Sequence, residues 1–317
     1  MAHDVMPDAP RDAIPKVRAE LRKVILGKDA ILDRLLVALL ADAHVLMEDV
    51  PGVGKTTLAK ALARTFAGDF KRLQFTPDLL PTDVLGSSVY DPRDGSFTFK
   101  PGPIFANVLL ADEINRASPR TQSSLLEAMS ERQASIEGVT RPLPRPFLVL
   151  ATQNPIELHG TYPLPEAQLD RFGLRVELGY PAREHEVDML YAQADHHPVD
   201  DVQKVLSEEA LLALQQATRA VRVDRKVGSY VVDLAEATRS HPAAKMGASP
   251  RASLALFRAA QARAYLDGRA YAVPEDVKDV AVEVLAHRVV LDPKARYGGM
   301  RKEDLVREVL GTVAVPV

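Results

Sequence analysis

Residues 49–57 read Asp49-Val50-Pro51-Gly52-Val53-Gly54-Lys55-Thr56-Thr57, and their types and spacing suit the binding of a phosphate chain. Glycines at 52 and 54 let backbone N–H groups curl around anionic oxygens, and the positive end of a following helix dipole adds favourable potential. Lys55 is placed to reach the β/γ-phosphates, and the Thr56 hydroxyl to ligate Mg²⁺. The implied substrate class is a nucleoside triphosphate. The general pattern G-x-x-x-x-G-K-[ST] begins with glycine where this chain has Asp49, so a glycine-rich surface turn with a solvated lysine stays open on this loop alone.

Further along, Val108-Leu109-Leu110-Ala111-Asp112-Glu113 is an apolar run ending in two acids. On a buried parallel strand those carboxylates would sit at the carboxyl edge of the sheet, where nucleotides bind in open α/β folds. Asp112 there would hold Mg²⁺, directly or through water, and Glu113 would orient and polarise the attacking water. Phe147 to Asn154 is a second apolar run ending in amides, which puts Asn154 within reach of the γ-phosphate or the water. Arg171, before a last apolar run, is of the type that stabilises charge built up in phosphoryl transfer, supplied in trans by a neighbouring subunit. The plainer alternative is a surface arginine paired with Asp170.

The elements that must position these groups can be read from periodicity. Short apolar runs at His44–Glu48, Arg72–Phe75, Val108–Ala111, Phe147–Thr152 and Leu174–Glu177 suit strands covered on both faces. Helical spacing runs from Ile14 to Leu26, from Ala30 to Leu40 and from Thr56 to Phe66. Past Pro181 the strand signal ends. Ser207, Ser249-Pro250 and Pro274-Glu275-Asp276 read as helix starts, with Tyr230 to Arg239 as another helix. The expected fold is α/β, a central parallel five-stranded sheet followed by an all-helical lid domain. Residues 1–15 read as a loose tail, 16–180 as the α/β core and 181–317 as the lid. Asp94-Gly95 and Glu137-Gly138 each centre a hairpin pattern.

Bulk properties narrow the class. The formal net charge is −3 and there is no cysteine. Nothing in that balance favours non-specific nucleic-acid binding, and thiolate sites and disulfides are excluded. No apolar run approaches the ~20 residues of a membrane span, and the start lacks a basic-then-apolar signal. A cytoplasmic protein is the expectation. His196-His197 lack a third ligand at metal spacing and read as loop residues. His287, late in a helix, reads as an imidazole favoured by the helix dipole.

Taken together these residues resemble the AAA+ ATPases, and within them the MoxR family of the helix-2-insert branch, related to magnesium chelatase motor subunits. The resemblance is carried by Leu109 to Ala117, Thr121-Gln122 to Met129, Ala151 to Pro155, Leu164 to Phe172 and Gly247 to Ser253, and covers roughly residues 16 to 310. It implies a Walker A loop at Pro51, Gly52, Val53, Gly54, Lys55, Thr56 and Thr57. It also implies a Walker B pair at Asp112 and Glu113, sensor 1 at Asn154, an arginine finger at Arg171, and sensor 2 at Arg251 reaching the γ-phosphate from the lid. Gly27, in Leu26-Gly27-Lys28, matches the region lining the adenine. The implied ligands are ATP and Mg²⁺. The implied assembly is a ring homo-oligomer, a hexamer, acting as a chaperone-like ATPase on a partner that carries a von Willebrand factor A domain. A nucleic-acid motor, a metal-chelatase motor subunit and a self-contained P-loop kinase remain as alternatives. The two hairpins stand either as pore- or client-facing elements or as plain surface.

Overall fold

The computed structural model describes residues 10–154, 160–193 and 196–316. Residues 1–9 of the expected tail, Pro155 of the expected 151–155 motif, and Val317 lie outside them. Helix α1 (Ala13–Arg22) buries Ala13 and Ile14, so the expected loose tail gives way to helix from Ala13. Helix α2 (Asp29–Leu40) packs beside it.

Strands β1 (Val45–Glu48), β2 (Phe70–Gln74), β5 (Val108–Asp112), β8 (Leu148–Gln153) and β9 (Leu174–Val176) form one five-stranded sheet in the order β2-β5-β8-β1-β9. Every pairing in it is parallel, so all five carboxyl ends share one edge. Side chains alternate across it. Val45, Met47, Val108, Leu110, Leu148 and Leu150 face a core shared with α1, α2, α3 (Lys55–Thr65) and the C-terminal helices. Leu46, Leu109, Ala111, Val149 and Ala151 face a second core. That core is closed by α4 (Pro81–Leu85) and α5 (Pro119–Glu131). Two buried faces are why β1, β5 and β8 read as continuous apolar runs.

Two antiparallel hairpins are inserted. The first pairs β3 (Gly86–Asp91) with β4 (Ser96–Pro101) and turns at Gly95, where φ is +74°. The second pairs β6 (Gln133–Ile136) with β7 (Val139–Pro142) through Glu137 and Gly138, both at positive φ. They touch each other: the Ser88 hydroxyl donates to Glu137, and the Arg141 guanidinium lies 3.9 Å over the Phe99 ring. At the far end of the first hairpin, Tyr90 and Phe97 pair at 5.2 Å between ring centroids, and Phe97 is 72% exposed.

After β8 come α6 (Glu166–Leu169), β9 and α7 (Arg183–Ala192), which buries none of its residues. The remainder is helical: α8 (Glu208–Arg219), α9 (Arg225–Ser240), α10 (Pro250–Leu266), α11 (Pro274–Leu285), α12 (Pro293–Tyr297) and α13 (Lys302–Thr312). The Ser207 and Ser249 hydroxyls accept from Ala210 N–H and Ala252 N–H, so both residues are N-caps, as the sequence suggested. Two ribbons that periodicity did not reveal tie these helices, Arg222–Val223 with Tyr271–Ala272 and Ala244–Met246 with Val290–Leu291. Segments of two or three residues are too short to carry a period. His287 departs from its expected role. It lies in a 3₁₀ turn after α11, 2% exposed, with Nε2 3.0 Å from Phe172 O. Burial, reinforced by Arg288, holds its pKa well below the usual imidazole value, so it is neutral and makes no charge–dipole contact. Among the described residues no helix is long and apolar enough to cross a membrane.

Candidate functional site

The carboxyl ends of β1, β2, β5 and β8 meet at a cavity of about 360 Å³. Its lining includes Pro51, Gly52, Gly54, Lys55, Thr56 and Thr57 from the loop after β1. Asp112 and Glu113 enter from β5, Asn154 from the end of β8, and Arg72 and Gln74 from β2. Val53 turns instead to the margin of the core. Gly52 and Gly54 take φ of +85° and +94°, conformations that favour glycine. The first intrahelical bond of α3 runs from Leu58 N–H to Gly54 O. The N–H groups of the first turn are therefore directed out of the helix end, toward the cavity. Lys55 Nζ donates to the carbonyls of Asp49 (3.0 Å) and Val50 (3.3 Å), bending over the loop from which it extends.

The acids are held by neighbours that sequence reading missed. Thr152, 1% exposed on β8, donates its hydroxyl to Asp112 Oδ1 at 2.6 Å and accepts the Glu113 N–H at 2.8 Å. Arg72 Nη2 donates to Asp112 Oδ2 at 2.7 Å. Gln74 Nε2 donates to Glu113 Oε2 at 2.6 Å, and Arg116 Nη1 to the same oxygen at 3.0 Å. Glu113 itself sits at φ +56°, in the left-handed region, which turns its side chain out of the strand direction. Arg72 and Gln74 alternate on β2, a pattern that could have been read as one face of an edge strand pointing polar groups at the strand beside it.

The donor set fits a magnesium–triphosphate group. Orphan N–H groups and an ammonium face one side, and a carboxylate and a threonine hydroxyl face the same space. Among the described residues no group of three or more His, Asp or Glu side chains is gathered so as to hold a metal ion. His196 pairs with Asp201, and His197 caps a 3₁₀ turn by accepting Val199 N–H.

Arg171 and Arg251 lie elsewhere. Both line a second cavity of about 840 Å³ that shares no lining residue with the first. Arg171 Nη1 donates to Leu126 O and Ser130 Oγ, both at 2.7 Å, at the end of α5. Its expected alternative partner, Asp170, is engaged otherwise. Asp170 accepts from Arg288 Nε and from the Ser249 hydroxyl, each at 2.9 Å, and lies 4.0 Å from Arg251 Nη1. Arg288 is 4% exposed and also donates to the carbonyls of Phe172 and Gly173. Burial lowers its pKa to about 10, against the opposing pull of Asp170. Arg251 therefore lines the same cavity as Arg171 and does not line the phosphate cavity of its own chain. Gly27 also stands off the phosphate cavity. A Cβ there would lie 1.9 Å from His185 Cδ2, so the α7 imidazole covers it.

Comparison with known proteins agrees with this architecture. Residues 44–174 match the profile of the ATPase family associated with various cellular activities, and residues 236–309 match the AAA lid domain. The chain is 48% identical over 302 residues to the uncharacterized protein YeaC of Bacillus subtilis, covering 95% of this chain and 94% of that one. It is 45% identical over 306 residues to chaperone MoxR1 of Mycobacterium tuberculosis, covering 94% and 81%. It is 35% identical to protein MoxR of Methylorubrum extorquens, covering 96% of each. A crystal structure from Cytophaga hutchinsonii, described as a candidate ATPase, superposes with a TM-score of 0.90 at 39% identity, covering 97% and 96%. The chain belongs to the MoxR family of AAA+ ATPases.

Proposed function

We propose that this MoxR-family chain hydrolyses Mg²⁺-bound ATP in a ring of identical subunits and uses the energy to remodel or mature a partner protein. The observation that carries this reading is the division of labour between the two cavities. One gathers Lys55, Thr56, Asp112, Glu113 and Asn154, and the other gathers Arg171 and Arg251. Each chain thus offers a phosphate-loop site and, separately, two arginines that do not line it.

In this reading the first-turn N–H groups of α3 bind the phosphate oxygens, and Lys55 Nζ turns from the carbonyls of Asp49 and Val50 to the β/γ-phosphates. Thr56 and Asp112 would hold Mg²⁺, which neutralises phosphate charge and orients the γ-phosphoryl group. Thr152 fixes the Asp112 carboxylate for that task. Glu113 orients and polarises the attacking water once Gln74 and Arg116 yield its carboxylate. Asn154 steadies the water or the γ-phosphate. Arg171 and Arg251 of the adjacent subunit stabilise the charge that develops, and Gly27 with its surroundings takes the adenine. We assign the ATPase core to residues 16–180 and the lid to 181–317. A cytoplasmic setting, a hexameric ring and a client bearing a von Willebrand factor A domain follow from the family resemblance, and the chaperone name of one relative supports the remodelling role.

The test mixes Glu113→Gln subunits with Arg171→Ala subunits. Each variant alone should lose about 10²-fold or more in kcat. Mixed assemblies should recover activity, because some interfaces then pair an intact Glu113 with an intact Arg171. Full activity of Arg171→Ala alone, or no recovery on mixing, would overturn the shared site.

A further inference from the structure

We propose that Asp49 is a positioning residue that couples the phosphate loop to the 178–180 turn, through which the sheet leads into α7. Asp49 occupies the place where the general loop pattern has glycine, and it is 7% exposed. Its Oδ1 accepts the Val50 N–H at 3.1 Å. Its Oδ2 accepts two N–H groups from the segment that follows the neighbouring strand β9, Leu178 at 2.5 Å and Gly179 at 2.9 Å. A buried carboxylate is tolerable when several N–H donors converge on it. Here those donors belong to two segments far apart in the chain.

The position matters as much as the bonds. The ladder between β1 and β9 ends with Met47 opposite Val176. Past that point the backbones no longer pair, and the Asp49 side chain takes over as acceptor for the next amides of the departing strand. Gly179 then turns at φ +62°, and Lys28 Nζ donates to Tyr180 O at 2.7 Å. Three consecutive residues of the exit turn are thereby held, two of them by Asp49. Glycine at position 49 would leave the Leu178 N–H, which is buried with its residue, without its acceptor.

The same residue holds the other end of the device. Its carbonyl is one of the two that Lys55 Nζ occupies. On the ATPase reading above, on which this part rests, Lys55 leaves that carbonyl when a triphosphate enters. The loop resettles, and the carboxylate carries the change to 178–180. From there α7 begins at Arg183, with His185 over Gly27. Asp49 is a mechanical tie between nucleotide occupancy and the strand that leads to the lid.

The experiment compares Asp49→Gly, which restores the general loop pattern and leaves its phosphate-contacting groups intact, with Asp49→Asn, whose amide offers one acceptor oxygen in place of two. In nucleotide-free protein, exchange of the Leu178 and Gly179 amides should quicken about tenfold or more in Asp49→Gly and less in Asp49→Asn. Asp49→Gly should keep KM for ATP within about 3-fold while kcat falls about 5-fold or more. It should also lose the change in exchange over residues 178–193 that a non-hydrolysable ATP analogue produces in the unaltered chain. Unchanged amide exchange in nucleotide-free Asp49→Gly would overturn the tie. So would a preserved analogue response with unaltered kcat. A wild-type chain that neither binds nor hydrolyses ATP would overturn the functional reading instead, and the nucleotide-free exchange would still decide whether Asp49 holds the turn.

Discussion

Thr152 shows how much of the site rests on a residue with no chemistry of its own. One hydroxyl serves both acids, donating to Asp112 and accepting the N–H of Glu113. Thr152→Val keeps the shape and removes both bonds. We expect a loss of about 1–3 kcal/mol in unfolding free energy, because the Glu113 N–H loses its acceptor. We also expect a fall of about tenfold in kcat as Asp112 loses its fixed orientation. Thr152→Ser should restore both in steady-state ATPase and urea-unfolding measurements. Equal behaviour of all three chains would show that the hydroxyl is idle. Lys55, Thr56, Asp112 and Glu113 were legible because their chemistry is local to short motifs. Thr152, Arg72 and Gln74 were not, because they act on residues far away in sequence and become neighbours only through strand order. Asp49 read as a mere departure from a pattern, since its partners, Leu178 and Gly179, lie in the segment that follows the neighbouring strand β9.

Among the elements, β1, β5 and β8 were readable because burial on both faces leaves a short apolar run, whereas β2 lies at the edge of the sheet and exposes Lys71 and Arg72. The hairpins were readable from the turn chemistry of Asp94-Gly95 and Glu137-Gly138. The helix ends followed from Ser207 and Ser249. Periodicity gave no warning of a histidine sealed between elements. His44, at the foot of β1, accepts the Val149 N–H at Nδ1 and places Nε2 3.2 Å from Met129 O, tying β1 to β8 and α5. That arrangement requires the neutral ring protonated at Nε2. Burial, reinforced by Arg132, lowers its pKa from 6.5 to about 3. The unfolded chain takes up a proton below 6.5, whereas the folded chain does so only near 3. Folding stability must therefore fall as pH drops through that window, by about 1.4 kcal/mol per pH unit for each such histidine. His287 adds to the loss with the same sign. Urea unfolding at about pH 7.5 and about pH 5 should differ by about 2 kcal/mol or more from this source. A His44 imidazole titrating near its ordinary value in the folded protein would refute the assignment.

At the scale of the whole molecule, lid and core are joined rather than merely adjacent. One apolar cluster runs from the sheet through α1 and α2 into α9, α10 and α11. Arg288, in the 3₁₀ turn after α11, grips Asp170, Phe172 and Gly173 on either side of Arg171. The lid thus fixes the arginine-bearing edge of its own chain. Arg251 was legible as a lid cation, but its place beside Asp170 was not, since that contact joins segments far apart in sequence. If neighbouring subunits complete each site, specific activity per chain should fall steeply as the protein is diluted about 100-fold through its assembly range. Specific activity that stays constant across that range would mean that each chain works alone.

The absence of any shared lining between the two cavities also bears on inheritance. On the proposed shared site, a chain altered at Arg171 would carry a sound nucleotide site and spoil one it does not own. A chain altered at Glu113 would do the reverse. In a cell expressing both an altered and an unaltered copy, an Arg171 defect would be felt by whichever chain, altered or healthy, faces it. Each altered chain would then silence one site, its neighbour's for Arg171 and its own for Glu113, and a mixed ring would lose sites in proportion to its share of altered chains.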